Sequence, residues 1–444
     1  GLPPGTPPNY VGKYRLQQGS AVPVHHVLVE MREEDELSDD SYGHTVTNRT
    51  GSFRFNFCDD DGVFDDELEL YFRVCAEVRD GNSLIARVEQ TDEQELYCWD
   101  SGTIDSEGGN VDFDLSVYRL NQTQASVFNI GDAIYWGWRY WNNNNASSPA
   151  MDRSVTVYWQ GGKGAKGSFY SASRTTMVIA DDPSSTDEWD DSVIMHEWGH
   201  FADHQFSCNQ NPGGAHSLPG VNAGVNGTRL AFGEGYPDYY QAAARTIMPG
   251  SASVSFYVDP DGPTVDLENM RGVTAGDRDE GAIAALLWDF IDGANDSSDT
   301  VNHGHAAIQR VYADPDFKNN TQCDMRRFLQ VWRRPAVASI DDDNLTPILD
   351  AKQRRGWPRG WEREFDYVEY RGERWEVPDV RALFNRVFRR GWSDTRDALD
   401  AFNARNGGPI YDEKAWNGPW DDLDGGHFLY MGWDAKYMMS AVQG

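Results

Sequence analysis

Apolar and polar residues alternate in three early stretches of the chain: Val22 to Met31, Gly51 to Phe57 and Glu67 to Val74. Asp- and Gly-rich turns separate them. A period of two with turn punctuation predicts short strands, and strands at this spacing predict a β-sandwich over residues 11–122. The pattern changes near Ser126. From there to Trp141 bulky apolar residues fall on most faces of a helical wheel, which predicts a buried helix. Strands follow at Val155–Trp159 and Thr175–Ala180. Helical periodicity then covers residues 187–206, 238–247, 280–292, 305–312 and 325–332. The expected fold is multidomain α+β. Residues 1–10 are a Pro- and Gly-rich linker, read as an exposed, processed terminus. Residues 11–122 form the sandwich, 123–349 a mixed domain of sheet and helices, and 350–444 a C-terminal region.

Composition refines this picture. The chain carries 71 Asp+Glu against 39 Lys+Arg, a net charge of −32 over 444 residues. Nucleic acid and anionic membrane surfaces need clustered cations, so neither is expected as a partner. No apolar run reaches the roughly 20 residues of a membrane span, so no membrane insertion is expected. The excess of acid keeps the surface hydrated and suits a secreted or cell-surface protein. Residues 350–444 differ: seven of the 16 Trp fall there among Arg and Gly, and the acidic excess nearly vanishes. This region is expected to pack on the preceding domain through its Trp and Arg. Five Cys occur without a CxxC pair. Cys75–Cys98 and Cys208–Cys323 are candidate disulfides. In the N-terminal region, Thr45 to Phe55 resembles the T-D-x-x-G-x-F-x-F hairpin of transthyretin-like and carboxypeptidase-regulatory-like sandwich modules.

The stretch that carries chemistry is Asp187 to His204, which contains His196-Glu197-Trp198-Gly199-His200. On a helix, residues four apart share a face. Both imidazoles can therefore bind one zinc ion, and Glu197 stands where it can take a proton from a zinc-bound water. Asp187 can cap this helix. The eleven-residue metzincin pattern fails, because Asp203 replaces its Gly and Phe206 its third His. A downstream carboxylate is left as third ligand.

Glu234 to Asp238 resembles the N-E-x-x-x-D segment of thermolysin-like gluzincins. The resemblance spans about residues 125–335. It implies a gluzincin-type catalytic domain within residues 123–349, with Glu234 as third zinc ligand and Asp238 orienting His196. It also implies an edge strand, Thr175–Ala180, that holds extended substrate by β-addition. The chain departs from the pattern in having Gly233 in place of Asn, and in a longer gap after His200. The loop across residues 208–228, rich in Gly, Asn and Pro, is expected to line the cleft. An oxyanion donor is also required. Thermolysin-like enzymes use a downstream His, which implies His305 or His303, with His305 preferred. Other gluzincins use Tyr, which makes Tyr236, Tyr239 and Tyr240 candidates.

The expected function is that of a secreted zinc metallopeptidase. His196, His200 and Glu234 hold zinc; Glu197, His305 and Tyr236 act on a protein or peptide substrate. Calcium is a second candidate cation, at the acidic clusters Asp59 to Glu67, Asp259 to Gly262 and Asp341 to Asp343. The rival is a non-catalytic zincin-fold adhesin or assembly subunit, in which the chain self-assembles.

Overall fold

Residues 27–33 place Val27, Leu28, Val29 and Met31 in the core and leave Glu30 and Arg32 half-buried. One face of a strand must meet the protein interior, and this strand also has a neighbour on each side. A computed structural model describes residues 23–34, 39–56, 68–91, 94–106, 122–144, 150–160, 167–181, 187–216, 218, 227–249, 255–258, 264–268, 276–293, 302–319, 323–332, 367–370 and 373–376. The chain divides into two units, residues 1–357 and 358–444. In the second, the described part is an antiparallel hairpin (Tyr367–Tyr370 and Glu373–Glu376).

The first unit is mixed α+β. Its large sheet begins with β1 (Val27–Glu33), β2 (Asp40–Val46), β3 (Leu68–Asp80) and β4 (Ser83–Glu89). Two short strands, β5 (Cys98–Asp100) and β6 (Ile104–Ser106), pair with β3. Helix α1 (Gln122–Asn143) then leads to β7 (Val155–Tyr158), β8 (Phe169–Ser171) and β9 (Thr176–Val178). The order is β2-β1-β3-β4-β7-β9-β8. The first four strands are antiparallel neighbours, whereas β4–β7 and β7–β9 are parallel. A parallel pair needs a crossover, and α1 lies within the one from β4 to β7. It is buried on most faces, as its pattern predicts, and packs on β3 and β4.

This topology corrects the expected sandwich. Among the described residues, the N-terminal strands do not form two facing sheets; they continue into the strands of the central region through β4 and β7, with Ala86 opposite Val155 and Glu89 opposite Tyr158. Alternation identifies a strand but not its partner, so it could not show where the edge of β4 would be covered. Residues 51–56, expected in a strand, are not in one. The expected edge strand also moves. β9 lies inside the sheet, and β8 is its edge.

The helices that follow are α2 (Asp191–Phe206), α3 (Gly227–Arg245), α4 (Glu280–Asp292), α5 (His305–Ala313), α6 (Pro315–Lys318) and α7 (Met325–Trp332). A small hairpin of β10 (Phe256–Val258) and β11 (Thr264–Asp266) stands between α3 and α4. α2 starts at Asp190, whose carboxylate accepts from the Ser192 and Val193 amides at 2.8 and 3.4 Å. Asp187, the expected cap, lies in a preceding 3-10 turn. α3 begins at Gly227, seven residues before Glu234 and eleven before the expected start at Asp238. Trp198, Phe201, Tyr236, Tyr239, Tyr240, Tyr312, Phe290 and Trp332 form a fully buried core among these helices. Disulfides link Cys75 to Cys98, across β3 and β5, and Cys208 to Cys323. The linker at residues 1–10, the three acidic clusters considered for calcium, and residues 350–444 apart from their hairpin lie outside the described residues. No helix among the described residues is long and apolar enough to cross a membrane.

Candidate metal centre

α2 and α3 pack against each other, and each brings one face to the same point. His196 and His200 are one turn apart on α2; Glu234 and Asp238 are one turn apart on α3. The approach is close because Gly199 has no side chain: a Cβ there would lie 2.9 Å from Pro237 Cα. Glu234 Oε2 stands 3.1 Å from His200 Nε2 and 3.5 Å from His196 Nε2. On the far side of the His196 ring, Nδ1 lies 2.8 Å from Asp238 Oδ1. A carboxylate on Nδ1 fixes the ring and turns Nε2 toward the cluster. One atom each from His196, His200 and Glu234 lies within 4.8 Å of the others, the one group of this kind among the described residues.

The electrostatics are those of a site that favours positive charge. Burial pulls the His196 imidazole down, yet Asp238 and Glu234 outweigh it and hold its pKa well above the ordinary value. His200 is raised against burial by Glu234. Burial pushes the Glu234 carboxyl up, but His200 and His196 hold it well below the usual range. Two imidazoles and a carboxylate are a fitting donor set for zinc. Glu197 behaves differently. It is 6% exposed, its Oε2 is buried without a hydrogen-bond partner, and burial raises its pKa against the pull of His200 and His196. A buried polar atom without a partner is costly unless something absent from the chain satisfies it. A metal with its solvent, next to His196 and His200, fits that role.

The loop after α2 adds two residues that the sequence reading did not name. Asn211 Nδ2 donates to Glu234 Oε1 at 2.8 Å. It fits because position 233 is glycine: a Cβ there would meet Asn211 Cγ at 2.7 Å. The departure at Gly233 was thus the available signal. His216 Nδ1 stands 3.1 Å from Glu280 Oε2, and its Nε2 3.7 Å from Glu234 Oε2. Glu280 raises the His216 pKa to about 9, against the effect of burial. Nothing periodic marks a loop residue, so His216 had no signal beyond its type. Tyr257, on β10, sets its ring edge-on to His196, 6.0 Å between centroids.

His305 and Tyr236 are not brought to this cluster. His305 is 3% exposed, its Nδ1 lies 2.5 Å from the Tyr239 hydroxyl, and Tyr140 and Tyr240 pack around it. Burial drives its pKa down to about 3, so it is a neutral core residue. Tyr236 is fully buried against Tyr312, 4.6 Å between ring centroids. It follows Glu234 by two residues, about 200° around the helix, and so faces the core. Tyr239 and Tyr240 are fully buried too, and His303 packs edge-on to Trp332.

The match to a known family falls on this region. Residues 139–348 match the mycolysin C-terminal domain. The matched segment is just under half of the chain. It holds α2, α3 and α4, and with them every residue of the cluster. Over that length the chain is similar to a domain of a protease family, and a thermolysin-like relationship is the direction in which it points. The strands from β1 to β6 lie outside the matched residues. No curated protein matches the chain.

Proposed function

We propose that the protein is a secreted, zinc-dependent peptidase of gluzincin type, with His196, His200 and Glu234 as ligands and Glu197 as the proton acceptor. One observation carries the reading: a buried Glu197 oxygen without a partner, beside three donor atoms that converge from two helices. A zinc ion held there would acidify water and polarise a peptide carbonyl. Asp238 keeps His196 aimed at the cluster, and Asn211 holds the outer oxygen of Glu234. Glu197 takes a proton from the attacking water. Burial raises its pKa, which favours keeping that proton until the amine leaves, when Glu197 delivers it to the nitrogen. The similarity to a protease domain supports a protein or peptide substrate.

The test combines metal analysis with cleavage of an unfolded protein. The native chain and Glu197→Gln should each hold about one zinc, while His196→Ala and Glu234→Ala should lose it. Glu197→Gln should cleave about 10³-fold more slowly, within the range general-base catalysis supplies. Cleavage by Glu197→Gln at the native rate would refute the proposed acceptor.

A further inference from the structure

We propose that His216, fixed by Glu280, donates a hydrogen bond to the carbonyl oxygen of the scissile bond as that oxygen becomes anionic. This assignment rests on the peptidase reading above. His216 is the one imidazole, beyond the His196–His200 pair, that the described residues bring within 4 Å of the Glu234 oxygen facing that pair. Its two nitrogens are differently engaged. Nδ1 is held at 3.1 Å by Glu280, whose side chain is only 2% exposed. Glu280 is itself fixed at the start of α4, where Asp279 caps the helix by accepting from the Ala282 amide. Nε2, at 3.7 Å from Glu234 Oε2, is too far away to be spent on a hydrogen bond there. The ring is therefore oriented, with one nitrogen left over beside the cluster.

Exposure sets the His216 ring on the solvent-facing side of the cluster, from which a substrate would enter. The His216 side chain is 37% exposed, against 9% for His196, 15% for His200 and 7% for Glu234. It is not a fourth ligand of the set, since the atoms within 4.8 Å of one another come from those three residues alone. Its loop is anchored twice ahead of His216: Cys208 is bonded to Cys323, and the Asn211 amide donates to Glu234. His305, expected in this role, is closed off by Tyr239 and the aromatic core.

The step balances without a further reactant. A water oxygen bonds to the carbonyl carbon, the C=O π pair moves onto oxygen, and Glu197 takes the water proton. His216 donates a hydrogen bond to the new oxyanion and keeps its own proton. The C–N bond then breaks, the oxygen pair restores C=O, and Glu197 protonates the amine. A preorganised donor of this kind is worth most when the charge develops.

The experiment compares wild type, His216→Ala, His216→Gln and Tyr257→Phe by zinc content, peptide kinetics and inhibitor binding by calorimetry. For His216→Ala, zinc should stay near one per chain and KM change little, while kcat falls by about 10²-fold. Affinity for a phosphinate peptide, whose anionic oxygen mimics the intermediate, should fall by a similar factor of about 10². A thiol peptide, which grips the metal without such an oxygen, should bind as before. Partial recovery in His216→Gln, which keeps a donor, supports a hydrogen-bonding role. Undiminished kcat and phosphinate affinity in His216→Ala, with an active wild type, would overturn the assignment alone. So would loss of zinc, which would make His216 a ligand, or a loss of kcat confined to Tyr257→Phe. A wild type that neither holds zinc nor cleaves would overturn the peptidase reading and His216 with it.

Discussion

Replacing Gly199 by alanine tests whether the packing of α2 on α3 sets the geometry of the centre. On an exposed helix this change is favourable by about 1 kcal/mol, because glycine is the more costly residue to order. Here the added Cβ would sit 2.9 Å from Pro237 Cα, 3.1 Å from Pro237 Cβ and 3.4 Å from Tyr240 Cβ. All three atoms are rigidly tied to backbone, so no side-chain rotation relieves the contact. Ordinary contact begins at 3.4 Å, so the helices must separate by at least about half an ångström. Overpacking of this kind costs about 1–3 kcal/mol, which leaves a net loss of roughly 0–2 kcal/mol in the metal-free chain. The centre should respond more strongly. His196 and His200 flank Gly199 on α2, and Glu234 lies three residues before Pro237 on α3, so a separation moves the ligands apart. Metal sites tolerate only about 0.2 Å of such error. Zinc affinity should therefore drop by about 10- to 100-fold, comparable to losing an outer support of a ligand. The assay is urea unfolding with metal chelated, paired with competition against a chromogenic zinc chelator. A Gly199→Ala protein that gains about 1 kcal/mol and binds zinc as tightly as the native chain would refute the reasoning.

Two other perturbations read different parts of the same region. Asp238→Asn removes the charge 2.8 Å from His196 Nδ1, and should lower zinc affinity by about 10- to 100-fold; because Asp238 also pairs with the buried His196 when no metal is bound, the unfolding midpoint of the metal-free chain should fall as well; unchanged affinity would deny Asp238 its orienting role. Asp203, in the last turn of α2, is 3% exposed, and burial raises its pKa to about 6. Its folded pKa exceeds the unfolded value of about 3.9, so the folded state binds the proton more tightly, and stability falls as pH rises from about 4 to about 6. Two units correspond to about 3 kcal/mol, which stays lost at pH 7. Relative to the native chain, Asp203→Asn should thus be more stable at pH 7 than at pH 4 by up to about 3 kcal/mol in urea titrations. An equal difference at the two pH values would show that Asp203 does not titrate between them.

What was legible in the sequence was local. The i, i+4 spacing of His196 and His200, and of Glu234 and Asp238, needs only a helix to become a shared face, and α2 and α3 supply it. α4 and α7 have the limits their periodicity predicts. The pairing of β4 with β7 was not legible, because alternation is the same whatever strand lies opposite. The position of Tyr236, a candidate from the resemblance alone, was not legible either. With periodicity starting only at Asp238, no helical angle relates Tyr236 to Glu234; with α3 running from Gly227, Tyr236 points about 200° away from Glu234. Gly233 works in the opposite direction. Read as a missing Asn it weakened the family resemblance, yet the space it leaves is filled by Asn211, whose amide reaches Glu234 from the loop. A motif position can therefore lose its residue while the site keeps an amide, provided another segment can approach. Only the loop's path shows this, and the same path brings His216 to the edge of the cluster.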